Sequence, residues 1–152
     1  MNRTKLRITL TLAGTLLATA SVAGETVSVF KTSGCGCCLA WVKYLEKAGY
    51  AVTAKNLAMG DLMQMKLKAG FKVDQTSCHT AKIAGYVVEG HVSVREIERL
   101  LRERPDAVGL TVPSMPLGSP GMEVGGDSEA YNVLLLRRDG TTEVFASYLK
   151  AS

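Results

Sequence analysis

The chain has 152 residues, of which 47% are hydrophobic and 21% are charged, so it is long enough for one globular domain and too apolar to be disordered. Its formal charge of +4 does not define a basic surface, because three of its 18 basic residues are Arg3, Lys5 and Arg7 and the remaining 15 face 14 acidic residues. The aromatic residues are few and are not interleaved with Lys or Arg, so we do not expect binding to nucleic acid.

The first 23 residues have the pattern of an export signal. A basic start at Asn2–Arg7 is followed by the apolar stretch Ile8–Ala20 and by the small residues Ser21–Ala23. This order is typical of a cleavable signal peptide, whereas an anchor helix would need roughly 20 apolar residues. We therefore assign residues 1–23 to a signal peptide and expect a periplasmic mature chain without a membrane span.

The first half of the mature chain alternates between strand and helix patterns. Thr26–Lys31 is β-branched and alternating, which predicts a strand, and Ala51–Leu57 is a second strand candidate. Cys37–Ala48 has the apolar spacing of a helix, and a second helix is predicted over Asp61–Lys68.

Two short strands and a third helix come next. We predict strands at Ala81–Ile83 and Tyr86–Val88, and an amphipathic helix that Ser93 caps and that ends at Arg104. The order β-α-β-α-β-β-α, with cysteines at the first strand-to-helix junction, predicts an α/β, thioredoxin-like domain over residues 24–105.

The composition changes after that helix. All four prolines lie between Pro105 and Pro120, and glycines are frequent across Ala107–Asp127. We predict a Pro/Gly-rich loop over this segment, and its length favours a functional role.

The chain closes with a hairpin pattern. Asp139-Gly140 separates two alternating runs, Tyr131–Arg137 and Thr142–Tyr148, which is a strong signal for a β-hairpin. The loop and the hairpin together form a C-terminal extension, residues 106–152, which we expect to pack on the same domain.

Three of the four cysteines are Cys35, Cys37 and Cys38, which are too close together to form disulfides that link distant segments of the fold. Cys35 and Cys38 have the C-x-x-C spacing of a thiol–disulfide oxidoreductase, and a helix N-terminus stabilises the thiolate, which is both a nucleophile and a metal ligand. The adjacent Cys37 favours metal, because neighbouring cysteines chelate one tetrahedral ion poorly but can bridge separate ions. Three buried, inert cysteines are disfavoured because Gly34 and Gly36 expose this turn.

The pair Cys78-His79 is the second informative feature. In a thioredoxin-like fold the loop before the third strand faces the C-x-x-C turn, and redox members of that fold usually carry a proline there. Here Thr80 follows the pair instead. A thiol and an imidazole in this position favour a donor set for a soft metal over a groove for disulfide exchange.

The remaining candidate ligands are single residues. His91 follows Gly90 at the end of a predicted strand and is as consistent with a structural role as with ligation. Met115 and Met122 lie in the Pro/Gly-rich loop, which offers few apolar residues for them to pack against. Their thioether sulfurs are suitable ligands for Cu(I). Three other methionines, Met59, Met63 and Met65, are read as core or surface filler.

The donor types favour copper among the soft metals. Thiolates bind Cu(I), zinc and iron–sulfur clusters, imidazole suits copper and zinc, and a thioether points to copper. Structural zinc prefers two well-separated ligand pairs, and iron–sulfur clusters usually take more evenly spaced cysteines.

Four segments resemble the CopG-like family of periplasmic copper-resistance proteins, which is recognised by a C-x-C-C motif. They are Cys35–Val42, Ser77–Ala81, Gly85–Val92 and Val112–Glu123. The motifs match in order, and the resemblance covers nearly all of the mature chain.

The resemblance implies a thioredoxin-like domain whose C-terminal extension helps to bind metal, and a cluster of several copper ions bridged by cysteine sulfurs. It also implies interconversion of Cu(I) and Cu(II) in copper resistance, with copper efflux or chaperone proteins as partners. On this sequence the cluster residues are Cys35, Cys37, Cys38 and Cys78, and the further candidate ligands are His79, His91, Met115 and Met122. We expect a monomer.

Three functions remain open at this point. The first is a copper-binding protein that acts as a copper oxidoreductase. The second is a metal-free thiol–disulfide oxidoreductase with Cys35 as nucleophile and Cys38 as resolving thiol, both residues being the catalytic candidates. The third is a copper chaperone or storage protein without enzymatic activity.

Overall fold

The computed structural model describes residues 25–150, so the predicted signal peptide lies outside the described residues. The described chain has a mixed α/β fold with one seven-stranded sheet and three α-helices. In chain order the elements are β1 (Thr26–Lys31), α1 (Gly36–Lys47), β2 (Ala51–Asn56), α2 (Met59–Lys68), a short 3-10 helix (Val73–Gln75), β3 (Thr80–Ile83), β4 (Tyr86–Glu89), α3 (Val94–Glu103), β5 (Ala107–Thr111), β6 (Tyr131–Arg137) and β7 (Thr142–Tyr148).

The strand order across the sheet is β2-β1-β3-β4-β5-β6-β7. Strands β1 and β2 pair in parallel through the crossover helix α1, and β4 and β5 pair in parallel through α3. The other neighbours are antiparallel. Because β3 runs antiparallel to β1, the start of β3 lies beside the end of β1, where α1 begins.

The predicted elements up to α3 are confirmed to within two residues at their ends, and Ser93 caps α3 by accepting a hydrogen bond from the Glu96 amide. The prediction of one continuous loop over Ala107–Asp127 is wrong at its start, where β5 completes the parallel pair with β4. The glycine that made β5 resemble a loop is required there, because a Cβ on Gly109 would lie 1.7 Å from the Val87 carbonyl oxygen.

Both hairpins follow from their turn residues. Ala84 and Gly85 have positive φ angles of 47° and 88°, the combination that a two-residue turn needs to match the strand twist. At the second turn, Gly140 has φ 83° and the Asp139 side chain accepts a hydrogen bond from the Thr141 amide. The predicted C-terminal hairpin is therefore confirmed, and β6 joins it to β5 in the same sheet.

The helices cover both faces of the sheet. Trp41 of α1 and Leu100 of α3 pack in one buried cluster with Ala81 and Val88 of the central strands. The residues that alternate with these on β3 and β4 are Thr80 and Glu89, and both contact Lys66 of α2. Because successive side chains of a strand point to opposite faces, α2 lies on the face opposite α1 and α3.

Within residues 25–150, no helix has the length and apolar character that crossing a membrane requires.

Candidate metal centre

The N-terminus of α1 carries the first cysteines. Cys35 is the N-cap residue, and its sulfur accepts a hydrogen bond from the Cys38 amide at 3.3 Å. The flanking Gly34 and Gly36 lie in open space, since a Cβ on either would meet nothing within 4 Å. An accepted N–H bond and the helix dipole both favour the thiolate of a reduced cysteine in this position.

The structure joins Cys35 and Cys38 in a disulfide, with Cα atoms 5.3 Å apart, and leaves Cys37 and Cys78 as free thiols. The Cys37 sulfur lies 3.5 Å from that of Cys35 and 3.6 Å from that of Cys78. The Cys37 sulfur therefore contacts the sulfurs on both sides, that of Cys35 at the N-terminus of α1 and that of Cys78 in the segment that leads into β3. The disulfide must gain two electrons before Cys35 and Cys38 can act as thiolate ligands.

All four cysteine sulfurs lie within 4.8 Å of one another, which confirms that two distant stretches of sequence converge. The sheet explains the convergence, because Thr80 at the start of β3 pairs with Phe30 near the end of β1. The residues just before β3 are thereby placed beside the turn that opens α1.

Cys78 also belongs to a second donor group. Its sulfur lies 3.4 Å from His79 Nδ1 and 3.1 Å from His91 Nε2, and the three donor atoms lie within 4.8 Å of one another. A backbone hydrogen bond from the Gly90 amide to the His79 carbonyl ties the two histidine segments together at the open end of the β3–β4 hairpin. The Cys78 sulfur is thus shared between the thiol cluster and two imidazoles.

The orientation of His91 is fixed by the C-terminal loop. His91 is fully buried, and its Nδ1 lies 2.8 Å from the Pro120 carbonyl oxygen. Since a carbonyl only accepts, Nδ1 carries the proton and donates it, which leaves the Nε2 lone pair facing Cys78. Burial lowers the pKa of His91, although the Pro120 contact and the Glu123 charge oppose the shift. The ring is therefore neutral at pH 7.

His79 is the more unusual of the two histidines. It is fully buried, with its ring 4.4 Å from that of Trp41 and 4.9 Å from that of His91. Among residues 25–150, its Nε2 finds no hydrogen-bond partner. Burial holds the pKa of His79 well below its usual range, with His91 and Lys66 contributing in the same direction. A neutral, buried imidazole with an unused nitrogen is suited to a ligand that the polypeptide does not supply.

Burial also controls the Cys78 thiol. It raises the pKa of Cys78 to about 12, and the neighbouring Cys37 adds to the shift. The metal-free protein therefore carries Cys78 as a thiol at neutral pH. A metal ion that binds this sulfur must displace a proton, as is general for cysteine ligands.

The observed spacings fit sulfurs that share metal ions. With metal–sulfur bonds of about 2.3 Å and tetrahedral angles, two sulfurs on one ion lie about 3.8 Å apart. The two sulfur–sulfur distances from Cys37, 3.5 and 3.6 Å, are close to that value. Little rearrangement of Cys37 and Cys78 is required to place a soft ion between them.

An ion pair that the sequence analysis missed supports this segment from the α2 side. Lys66 and Glu89 are buried and lie 2.5 Å apart, and Glu89 also accepts hydrogen bonds from the Thr80 hydroxyl and the Ser77 amide. Burial raises the pKa of Glu89, although the contacts with Lys66 and Thr80 oppose the shift. A cross-strand register would have indicated the Thr80–Glu89 contact, since the tight turn makes these two residues partners.

The Pro/Gly-rich loop covers the site. A Cβ on Gly121 would lie 2.8 Å from the Trp41 amide nitrogen and 3.0 Å from the Cys37 carbonyl oxygen, so the loop rests directly on α1. Met115 lines a cavity together with Cys78. Met122 is half-buried, and its backbone bonds to Gly118 and Ser119 within the loop itself.

The fold and the site together define a mixed α/β protein with a cluster of thiols and imidazoles that is able to hold a soft metal ion. Two solved structures, both of copper resistance protein CopG, are similar to this chain. Form 1 is 44% identical with a TM-score of 0.76, covering 82% of this chain and 97% of that one. Form 2 is 43% identical with a TM-score of 0.76, covering 82% of this chain and 98% of that one. The chain belongs to the CopG family of copper resistance proteins, as the sequence motifs predict.

A family model described as a protein of unknown function, DUF411, matches residues 75–122. The matched segment includes Cys78, both histidines and the loop methionines, and it begins after the C-x-C-C motif. No protein with a curated function matches the chain by sequence.

Proposed function

We propose that the protein binds several copper ions through thiolates that bridge neighbouring ions, and that it interconverts Cu(I) and Cu(II) in copper resistance. The observation that carries this proposal is the convergence of four cysteine sulfurs, one of which also contacts two buried imidazoles. Both similar structures are of a copper resistance protein, which supports copper as the metal.

The donor set suits copper better than zinc or iron. Thiolate selects soft ions, and neutral imidazole is a good ligand for both oxidation states of copper. Copper bound here would supply one-electron redox chemistry. The protein would contribute a set of donors whose positions α1, the β3 segment and the Pro120 carbonyl hold in place, which limits the rearrangement that a change of oxidation state requires.

Cys37 is the residue on which a polynuclear site depends. Its sulfur lies between those of Cys35 and Cys78, within about one shared-ion spacing of each. A bridging thiolate in this position would connect ions held by the α1 turn to ions held by Cys78 and the histidines.

The test is copper stoichiometry in Cys37→Ser, measured by elemental analysis of protein that was reduced and then loaded with Cu(I). We expect the variant to lose the bridged ions and to retain at most one copper per chain. Ser33→Ala is the matched control, because Ser33 is exposed and lies in the same turn, and this variant should bind as much copper as the wild-type protein. An unchanged copper-to-protein ratio in Cys37→Ser would overturn the proposal.

The observed disulfide supports a second candidate, a thiol–disulfide oxidoreductase that uses Cys35 and Cys38. In that case the Cys37 thiol, 3.5 Å from Cys35, is an internal competitor for the disulfide. Reduction of insulin by copper-free protein at rates that Cys35→Ser abolishes would favour this function. A third candidate, a copper chaperone or storage protein, predicts that bound copper stays in one oxidation state through cycles of oxidant and reductant.

We also propose that β1 to β4 with α1 to α3 form a thioredoxin-like domain (residues 24–105) to which residues 106–152 add an extension. The strand order β2-β1-β3-β4 and the cysteine turn at the start of α1 support this assignment. For residues 1–23 we propose cleavage on export to the periplasm. The mass of protein recovered from a periplasmic fraction tests it, with a mature chain that starts near Gly24 as the expected result.

A further inference from the structure

A cavity of about 390 Å³ opens between α2 and the segment that follows β5. Three methionines contribute to its wall, Met59 and Met63 from α2 and Met115 from the loop, and the wall also includes Cys78. The cavity therefore joins a group of thioethers to a sulfur of the cysteine cluster.

Local structure sets these three side chains around the cavity. Met59 and Met63 are four residues apart on α2, which places them on one face one turn apart. Met115 is held opposite because Ser114 is fixed at both backbone ends, its amide donating to the Thr76 carbonyl and its carbonyl accepting from the Ser77 hydroxyl. Ser114 adopts φ 64°, a left-handed conformation that this pair of bonds maintains.

Packing does not explain the methionines. Met59 is 66% exposed and Met115 is 48% exposed, whereas Leu62, on the same turn of α2, is 1% exposed and belongs to the interior. A thioether is a soft, uncharged ligand that binds Cu(I) without losing a proton, so exposure at a cavity mouth leaves it ready to coordinate.

The charges around the cavity do not repel a cation. Lys66 also lines it, but its ammonium group lies 2.5 Å from the Glu89 carboxylate, and both side chains are buried. The pair is neutral overall, so a monovalent ion at the thioethers meets little net positive charge.

We infer that Met59, Met63 and Met115 form an acquisition site that binds one Cu(I) ion and passes it to Cys78. This inference rests on the proposed copper function of the cysteine cluster. Transfer is a ligand exchange in which copper stays Cu(I), a Cu–thioether bond is replaced by a Cu–thiolate bond, and the proton of the Cys78 thiol passes to water.

Stopped-flow transfer of Cu(I) from a coloured chelator complex to the reduced full-length protein tests the inference. We expect loading of Met59→Leu/Met63→Leu/Met115→Leu to be slower by about tenfold. The final copper content of the cysteine cluster should be unchanged in Met59→Leu/Met63→Leu, which keeps Met115 as a candidate ligand of the cluster. Met65→Leu is the matched control, because Met65 is on the same helix but lines a different cavity. Equal loading rates for wild type, control and triple variant would overturn the inference.

Binding at the thioethers is measured separately by NMR of protein labelled at the methionine methyl groups, with Ag(I) as the redox-inert probe. In a chain whose four cysteines are replaced by serine, the methyl signals of Met59, Met63 and Met115 should shift together while that of Met65 stays in place. If that chain does not fold, the same titration is made on wild-type protein already loaded with copper. Signals that do not move with Ag(I) contradict the acquisition site, whereas failure of the wild-type cysteines to bind copper contradicts the proposed function and leaves this readout intact.

Discussion

The Cys78 sulfur contacts both the thiol cluster and an imidazole. It lies 3.6 Å from the Cys37 sulfur on one side and 3.1 Å from His91 Nε2 on the other. Because the Pro120 carbonyl holds the proton on His91 Nδ1, the nitrogen that faces Cys78 is the one with a lone pair. The loop residue Pro120 thus orients a donor of the candidate metal centre through a backbone atom.

His91→Asn separates the two roles of this imidazole. An asparagine amide is able to keep the hydrogen bond to Pro120 while it removes the nitrogen near Cys78. We expect the affinity for Cu(I), measured by competition with a chelator, to fall by about tenfold or more. Because a smaller side chain replaces a fully buried ring, the free energy of unfolding should fall by about 0.5–3 kcal/mol, and copper affinity is compared under conditions in which both proteins are folded. Copper affinity equal to that of the wild type would show that His91 is structural.

Glu89→Gln probes the ion pair beneath the site. Glutamine preserves the shape but leaves the Lys66 ammonium buried without a charged partner, so we expect a loss of about 3–5 kcal/mol in the free energy of unfolding. Urea denaturation measures it. Glu103→Gln removes one partner of the solvent-accessible pair Arg99–Glu103, and it should cost about 0.5 kcal/mol or less. Similar losses in both variants would contradict the buried pair.

These residues also show how far sequence reasoning reaches at this scale. The four cysteines could be predicted to converge, because their spacing and the element order both point to one end of the sheet. The partner of Lys66 could not, because a lysine in an amphipathic helix is normally solvated, and only the packing of α2 on β3 and β4 buries it. The complete burial of His79 against Trp41 likewise depends on tertiary contacts.

At the scale of elements, the close approach of β4 and β5 joins the two parts of the sheet. Gly109 packs its Cα against the Val87 backbone, where any side chain would collide with the carbonyl oxygen. This contact aligns β5, and β5 leads directly into the segment that carries Met115 and Pro120. The position of the loop over the candidate metal centre therefore depends on this strand pair.

Gly109→Ala should be severely destabilising for that reason. We expect a loss of more than about 3 kcal/mol in the free energy of unfolding, since the clash is with backbone and no side chain is able to move aside. Gly60→Ala is the control, because a Cβ there meets nothing within 4 Å and alanine favours the helix. A mild effect at Gly109, measured by thermal or urea unfolding, would mean that β4 and β5 are not paired this closely.

Most of the helices and strands could be predicted from the sequence pattern. Alternation and capping residues predict β1, the three helices and the C-terminal hairpin, whose signals are local. Strand β5 was missed because its sequence, Ala-Val-Gly-Leu-Thr, has a glycine at its centre and prolines soon after it. Glycine is required at this position because β4 approaches closely, and a local sequence pattern does not reveal that contact.

At the scale of the whole molecule, the redox state of the chain sets how many sulfurs are available to a metal. The fold with Cys35 and Cys38 joined leaves only Cys37 and Cys78 as thiols among the described residues. A disulfide sulfur is a poor ligand, because metal binding requires the thiolate. Reduction therefore changes the donor set without a change in topology, since all four sulfurs already lie within 4.8 Å of one another.

Thiol counting and copper loading should accordingly change together. Oxidised protein, denatured and treated with a thiol reagent, should show two reactive thiols per chain, and reduced protein should show four, as the observed disulfide and free cysteines require. Oxidised protein should also bind less Cu(I) than reduced protein in an elemental assay. Cys35→Ser/Cys38→Ser, which lacks the same two sulfurs without forming the disulfide, should bind as little Cu(I) as the oxidised wild-type chain. Equal copper content in the oxidised and reduced wild-type chains would mean that Cys35 and Cys38 are not ligands, and the cluster would then have to be built from Cys37, Cys78 and the histidines alone.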